Sequence, residues 1–173
     1  MLEQARAFAT IAHEGQRYGN EPYTYHLGKV VEVLRRFDID DPDLLAAGWL
    51  HDTLEDTPVE VDDLRNQFND RVAALVDAVT DGQGATRKDR KQRPYRLIPR
   101  TPGAVYLKLA DRIANLEASL DEGHDRLLKR YAHEHWDFHK RLFDGVTALP
   151  MWEHLDNIFM LGGCGRVSPP YRG

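Results

Sequence analysis

The sequence predicts an all-α protein folded as a single domain, and three observations carry that reading. Apolar residues recur at helical spacing in one segment after another. Proline, glycine and asparagine separate those segments, and no stretch alternates at the period of two that marks a half-buried strand. The 173 residues are an ordinary length for one domain. Residues 1–160 are expected to form it, with 161–173 as a flexible tail rich in glycine.

Each element has a local cause. Leu2, Ala5, Phe8, Ala9 and Ala12 mark a helix over residues 1–15 that Gly15 ends. Gln16–Tyr23 is turn-rich, with Gly19-Asn20 and Pro22 as breakers. A second helix starts near Tyr25 and carries Leu27, Val30, Val31, Leu34 and Phe37. A third opens at Asp41-Pro42, a capping acid followed by a proline suited to the first helical position, and runs to Thr57-Pro58. Helices follow at 60–68 and 70–80, divided at Asn69-Asp70, with Asp70 as the expected cap. Pro94 and Pro99 argue against a long helix in the basic stretch 81–103. Thr101-Pro102-Gly103 opens a helix to about Leu120, and further helices are expected at 124–144 and 150–160.

Charged residues are 29% of the chain and hydrophobic residues 42%, the balance of a soluble protein. No apolar run approaches the ~18 residues of a membrane span, and no basic-then-apolar leader opens the chain. The single Cys164 excludes an internal disulfide and fits a reducing, cytoplasmic setting. A net charge of −5 argues against a nucleic-acid partner.

Chemistry concentrates in Gly48–Thr57, where an apolar helix runs directly into His51, Asp52, Glu55 and Asp56. At helical spacing His51 stacks over Glu55 and Asp52 over Asp56. That gathers a nitrogen and carboxylates around one point, a cradle for a divalent cation and the water it acidifies. Taken alone, His26 fits a packed or capping residue better than a ligand. Asp111, placed directly after an apolar run, fits an ion pair as well as a metal ligand. His135 and His139 have a spacing that zinc sites use, but no acid accompanies them in register; they read, with His133, as core-edge and surface histidines. The block Arg87, Lys88, Arg90, Lys91, Arg93, Arg96 and Arg100 fits a phosphate site and a solvated arm equally. No glycine-rich phosphate loop or nucleophilic serine pattern is present, so catalysis rests on the metal-type constellation.

With His26, His51-Asp52 and Asp111 in view, the chain resembles the HD-domain phosphohydrolases, and within them the hydrolase domain of Rel/Spo proteins and the small alarmone hydrolases. The stretches that carry the resemblance are Ala12–Gln16, Glu21–Tyr23 with His26, Leu50–Thr57, Leu75–Thr80 and Leu107–Asn115, in the family's order. It implies a helical bundle in which His26, His51, Asp52 and Asp111 hold a divalent metal, usually manganese. Glu55 and Asp56 would position and deprotonate water, Arg17 would lie near the base, Asn115 near the nucleoside, and Lys108 with the basic block near phosphate. The implied reaction is removal of the 3′-pyrophosphate from guanosine 3′,5′-bis(diphosphate). The chain departs from the pattern in a shorter loop before His26, Tyr18-Gly19 after Arg17, Leu27 in place of proline, and Ala118 in place of a hydroxyl. Those departures keep open a phosphatase acting on a nucleoside monophosphate or a phosphorylated dinucleotide, and a non-catalytic nucleotide-binding module. The expected partner is a small nucleotide, and a homo-oligomer is compatible with the reading.

Overall fold

The structure, a computed structural model, describes residues 1–121, 123, 125–165 and 168. Helix α1 (Leu2–Ala12) buries Ala5 and Ala9, and the chain then turns through Gly15 at φ +79°. The next segment, expected to be strandless, forms a minimal antiparallel hairpin. In it β1 (Arg17–Tyr18) pairs with β2 (Glu21–Pro22). Two-residue strands are too short to display a period, so only the turn residues Gly19-Asn20 announce them.

Helix α2 (Thr24–Arg36) buries Leu27, Val30, Val31 and Leu34 against its neighbours. Asp41 starts α3 (Pro42–Leu50) as expected: its Oδ1 accepts from the amides of Asp43 at 3.0 Å and Leu44 at 3.3 Å. Gly48 lets α2 and α3 cross closely, since a Cβ there would lie 2.9 Å from Val31 Cγ2. The one helix expected from Pro42 to Thr57 divides in two. After α3 the chain turns at His51-Asp52 and starts a short α4 (Thr53–Asp56). The Thr53 hydroxyl donates to the Leu50 carbonyl at 2.7 Å, a local side-chain bond that competes with the helical ladder.

Helices α5 (Val61–Gln67) and α6 (Asp70–Val79) stand where the periodicity puts them. The cap of α6 is Asn69, not Asp70: the Asn69 Oδ1 accepts from the Val72 amide at 2.8 Å. The basic block folds as α7 (Arg87–Leu97) despite Pro94. Thr86 and Asp89 form a reciprocal capping box at its start. The Arg90 carbonyl, which Pro94 has no N–H to reach, accepts instead from the Gly82 amide at 2.9 Å. Three ion pairs anchor the helix: Arg87 to Glu134 at 2.8 Å, Lys91 to Asp81 at 2.9 Å and Arg93 to Asp77 at 2.6 Å.

A 3-10 turn (Ile98–Arg100) leads into α8 (Ala104–Asp121), followed by α9 (Asp125–Leu142) and α10 (Leu149–Leu161). Helix α8 is central, packing on α2, α3, α6, α9 and α10 and burying Leu107, Leu109, Ile113 and Leu116. Arg112 ties it to α9: its guanidinium lies 4.4 Å from the Tyr131 ring centre and 4.3 Å from that of Phe138. His135 and His139 are not at the surface but buried among Trp152, Phe138 and Phe143. Burial pushes the His135 imidazole down to about 2, so it is a neutral core residue. Its Nε2 lies 2.6 Å from the Oγ of the buried Ser168, while 166, 167 and 169–173 of the expected tail lie outside the described residues. Among the described residues no helix is long and apolar enough to cross a membrane.

The Asp41 cap has a measurable consequence. The Arg71 guanidinium at 2.5 Å and the capped amides hold its carboxyl below the ordinary aspartate range. Its stabilisation is therefore present above the unfolded value of about 3.9 and fades as pH falls through the lower folded one. Asp41→Ala is expected to cost about 1 kcal/mol in urea unfolding at neutral pH, with the gap to wild type narrowing at acid pH.

Candidate metal centre

Three segments converge on one point. Helix α2 brings His26 from its first turn, the turn between α3 and α4 brings His51 and Asp52, and α8 brings Asp111 from mid-helix. The His26 Nε2 lies 3.6 Å from Asp52 Oδ2 and 3.5 Å from Asp111 Oδ1. The His51 Nε2 lies 3.1 Å from the same Asp52 oxygen and 3.7 Å from the same Asp111 oxygen. His26, His51 and Asp111 offer ligand atoms that all fall within 4.8 Å of one another, the spread that one ion could bridge. All four predicted ligands are thus brought together, from positions 85 residues apart at the extremes (111 − 26).

The surroundings orient these groups. The His51 Nδ1 lies 2.9 Å from the Gly48 carbonyl, an acceptor only, so Nδ1 carries the proton and Nε2 points into the cluster. That Nε2 is buried and makes no hydrogen bond of proper geometry. The Tyr23 hydroxyl donates to Asp52 Oδ2 at 2.7 Å, and burial together with the Asp52 charge raises the phenol far above its ordinary range, so it stays a donor. On α8, Lys108 and Asn115 share the face of Asp111. Lys108 donates to Asp111 Oδ2 at 3.1 Å and the Asn115 amide to Asp111 Oδ1 at 2.7 Å.

Electrostatics support a cation at the centre. Burial opposes charge on His51, yet Asp52 and Asp111 outweigh it and raise the imidazole well above its usual value. Burial likewise works against the Lys108 ammonium, and the carboxylates of Asp111, Glu55, Asp81 and Asp52 overcome it. Burial raises Asp52 and Asp111, but His51 for the first and Lys108 for the second pull both below the ordinary range. Two carboxylates and two imidazoles with an orphaned nitrogen fit a divalent ion, which would take the place of the proton that they otherwise hold.

The turn at His51-Asp52 takes Glu55 out of helical continuity with His51, whose carbonyl its amide does not reach, whereas Asp56 stays one turn from Asp52, its amide donating to the Asp52 carbonyl at 3.0 Å. Glu55 and Asp56 are both exposed at the rim. Glu55 Oε1 accepts from the Asp81 amide at 2.6 Å, and Asp56 Oδ2 from Gln16 Nε2 at 2.9 Å. Its packed surroundings push the Glu55 carboxyl up, with Lys108 pulling the other way. Arg17 is exposed on the hairpin and bonds the Asn20 carbonyl across its turn. The basic block is neither a free arm nor a bare anion site: Arg87, Lys91 and Arg93 are ion-paired, and Arg87 and Lys91 line a cavity with Lys108, Asp111 and Arg112. Tyr18, Tyr23 and Gly48 were missed as site residues. Tyr23 alone left a sequence signal, one helical turn before His26.

The chain matches the HD domain family over residues 5–142. Human guanosine-3′,5′-bis(diphosphate) 3′-pyrophosphohydrolase MESH1 is 34% identical over 144 residues, which cover 80% of this chain and 75% of that protein. GTP pyrophosphokinase of Streptomyces coelicolor is 35% identical over 140 residues, 77% of this chain but 16% of that protein. The chain therefore spans a small part of such long relatives. A solved structure described as a metazoan ortholog of SpoT that hydrolyzes ppGpp superposes with a TM-score of 0.74 at 26% identity. The match covers 94% of this chain and 96% of that one.

An ion held by folded ligands alone stabilises the fold by mass action, about 2.7 kcal/mol at a hundredfold excess over Kd. Manganese is expected to raise the melting temperature of the wild type, EDTA to reverse the rise, and His51→Ala or Asp52→Ala to abolish it.

Proposed function

The chain belongs to the HD-domain family, related to the Rel/SpoT hydrolase domain and to MESH1, and on that premise we propose that it is a manganese-dependent pyrophosphohydrolase of guanosine 3′,5′-bis(diphosphate). The observation that carries the proposal is the buried, orphaned His51 Nε2 facing His26, Asp52 and Asp111. These four are the proposed ligands. A divalent ion bound there supplies Lewis acidity, which neutralises phosphate charge and acidifies water.

The chain's own residues do the rest. Lys108 gives one N–H to Asp111 and directs the others at phosphate oxygens, and Arg17 reaches the nucleotide from the hairpin. Lys91 and Arg87 extend the cationic wall beyond Lys108. Asn115 stands at the border between Asp111 and the nucleoside. Glu55, with its raised carboxyl pKa, takes the proton of the water whose oxygen attacks the phosphorus attached to O3′. Asp56, steadied by Gln16, positions that water. The bond from this phosphorus to O3′ breaks, O3′ takes up a proton, and the products are GDP and pyrophosphate.

A second reading keeps the fold and metal but changes the substrate to a nucleoside monophosphate or a phosphorylated dinucleotide. The altered loop after Arg17 favours it, because Tyr18-Gly19 departs there from the pattern of the alarmone hydrolases. The test is a manganese-supplemented assay on guanosine 3′,5′-bis(diphosphate) that separates pyrophosphate from orthophosphate. Pyrophosphate release is expected. Orthophosphate from other nucleotides, with no pyrophosphate released from guanosine 3′,5′-bis(diphosphate), overturns the substrate in favour of the second reading, and binding without turnover leaves a nucleotide-binding module. Glu55→Gln is expected to keep manganese affinity while turnover drops about 10²–10⁴-fold; a wild-type rate would remove Glu55 from the proton-transfer role.

A further inference from the structure

We propose that Tyr18 is a positioning residue of the metal centre, holding His26 and Asp111 in register from the hairpin. The inference rests on the metal reading above but not on the identity of the substrate. Tyr18 touches both ligand systems at once. Its ring stacks on the His26 imidazole, with centroids 4.9 Å apart and planes 13° from parallel. Its hydroxyl donates to Asn115 Oδ1 at 3.2 Å.

The second contact sets the direction of the Asn115 amide. A side-chain amide has one accepting end and one donating end, and the Tyr18 hydroxyl claims the oxygen. Nδ2 is thereby turned to Asp111, where it meets Oδ1 at 2.7 Å and the backbone carbonyl at 3.1 Å. Asp111 Oδ1 is the oxygen that faces His26 and His51 at 3.5 and 3.7 Å. Without Tyr18 the amide would lose the bond that selects its orientation, and Asp111 Oδ1 would lose the donor that fixes its lone pairs toward the ion. The stack meanwhile restrains the rotation of the His26 ring about the direction of its Nε2. Histidine and aspartate come from α2 and α8, and the hairpin spans them. The residue next to Arg17 thus sets metal geometry, and a substrate held by the hairpin bears directly on the ion.

The experiment is manganese titration of the full chain by calorimetry and by Mn²⁺ electron paramagnetic resonance, with Tyr18→Phe, Tyr18→Ala, Asn115→Ala and the Tyr18→Phe/Asn115→Ala double variant. Tyr18→Phe keeps the ring and loses only the hydroxyl. It is expected to weaken manganese binding about tenfold and broaden the Mn²⁺ signal. Tyr18→Ala should weaken binding further through loss of the stack. The double variant should bind no worse than Asn115→Ala, because both changes cut one chain of bonds. Wild-type affinity and signal in Tyr18→Phe would overturn the proposal, as would effects that multiply in the double variant. A lower metal-free melting temperature with unchanged affinity would also overturn it, leaving Tyr18 a structural residue. A wild type that binds no manganese would overturn the metal reading along with it. A wild type that binds manganese and releases no pyrophosphate would overturn only the substrate.

Discussion

His51 Nε2 faces two carboxylate oxygens inside the protein, at 3.1 and 3.7 Å, while its other nitrogen is committed to the Gly48 carbonyl. A neutral ring in that tautomer would present a lone pair to lone pairs. A positive charge must therefore stand at this nitrogen, either a proton or an ion. Isolated buried carboxylates are costly, and the surrounding side chains reduce that cost on every side. Lys108 supplies a full charge, Tyr23 a hydroxyl and Asn115 an amide. The apolar bundle makes each of these contacts stronger by keeping water away.

The same demand explains the placement of the basic helix. Lys108 lies among Asp111, Glu55, Asp81 and Asp52, and Asp81 in turn receives Lys91. Burial and the nearby Lys108 lower the Lys91 pKa, so the two ammonium groups are set close at some electrostatic cost. An anion arriving beside them would relieve it. The helix persists through Pro94 because the carbonyl left without a partner is satisfied from outside by Gly82. Arg87, Lys91 and Arg93 are thus fixed in place, which a solvated arm would not achieve.

Much of the fold was legible, and so were the residues that the fold gathers into one cluster. The apolar stripes located the helices, and Asp41-Pro42 marked the start of the helix that delivers His51. The four residues of the cluster were legible as a set only through resemblance, since His26 alone reads better as a packed residue and Asp111 alone equally well as an ion-pair partner. Other features depended on partners distant in sequence. The Thr53 hydroxyl that breaks the long helix, the Gly82 amide that rescues Pro94, and the core around His135 all involve competition that periodicity does not record. His135 and His139 have the spacing of a metal site and are instead core, while Glu55 and Asp56, in register with His51 and Asp52, stand at the rim.

The sequence by itself determined the helical class, the approximate bounds of most helices though not the division of α3 from α4 or the presence of α7, and which residue types were available for metal chemistry. Those properties follow from local periodicity, capping and composition, which neighbouring residues settle among themselves. Tertiary structure decided which histidines meet which carboxylates, which cations are paired, and which side chains stand behind that cluster. Tyr23 under Asp52 is set by how the start of α2 meets the turn between α3 and α4, and Tyr18 between His26 and Asn115 by where a six-residue hairpin lands on α2 and α8. Hydrogen bonds and charge act over a few ångströms in space, whatever the separation along the chain, and only the packed bundle brings those groups within reach.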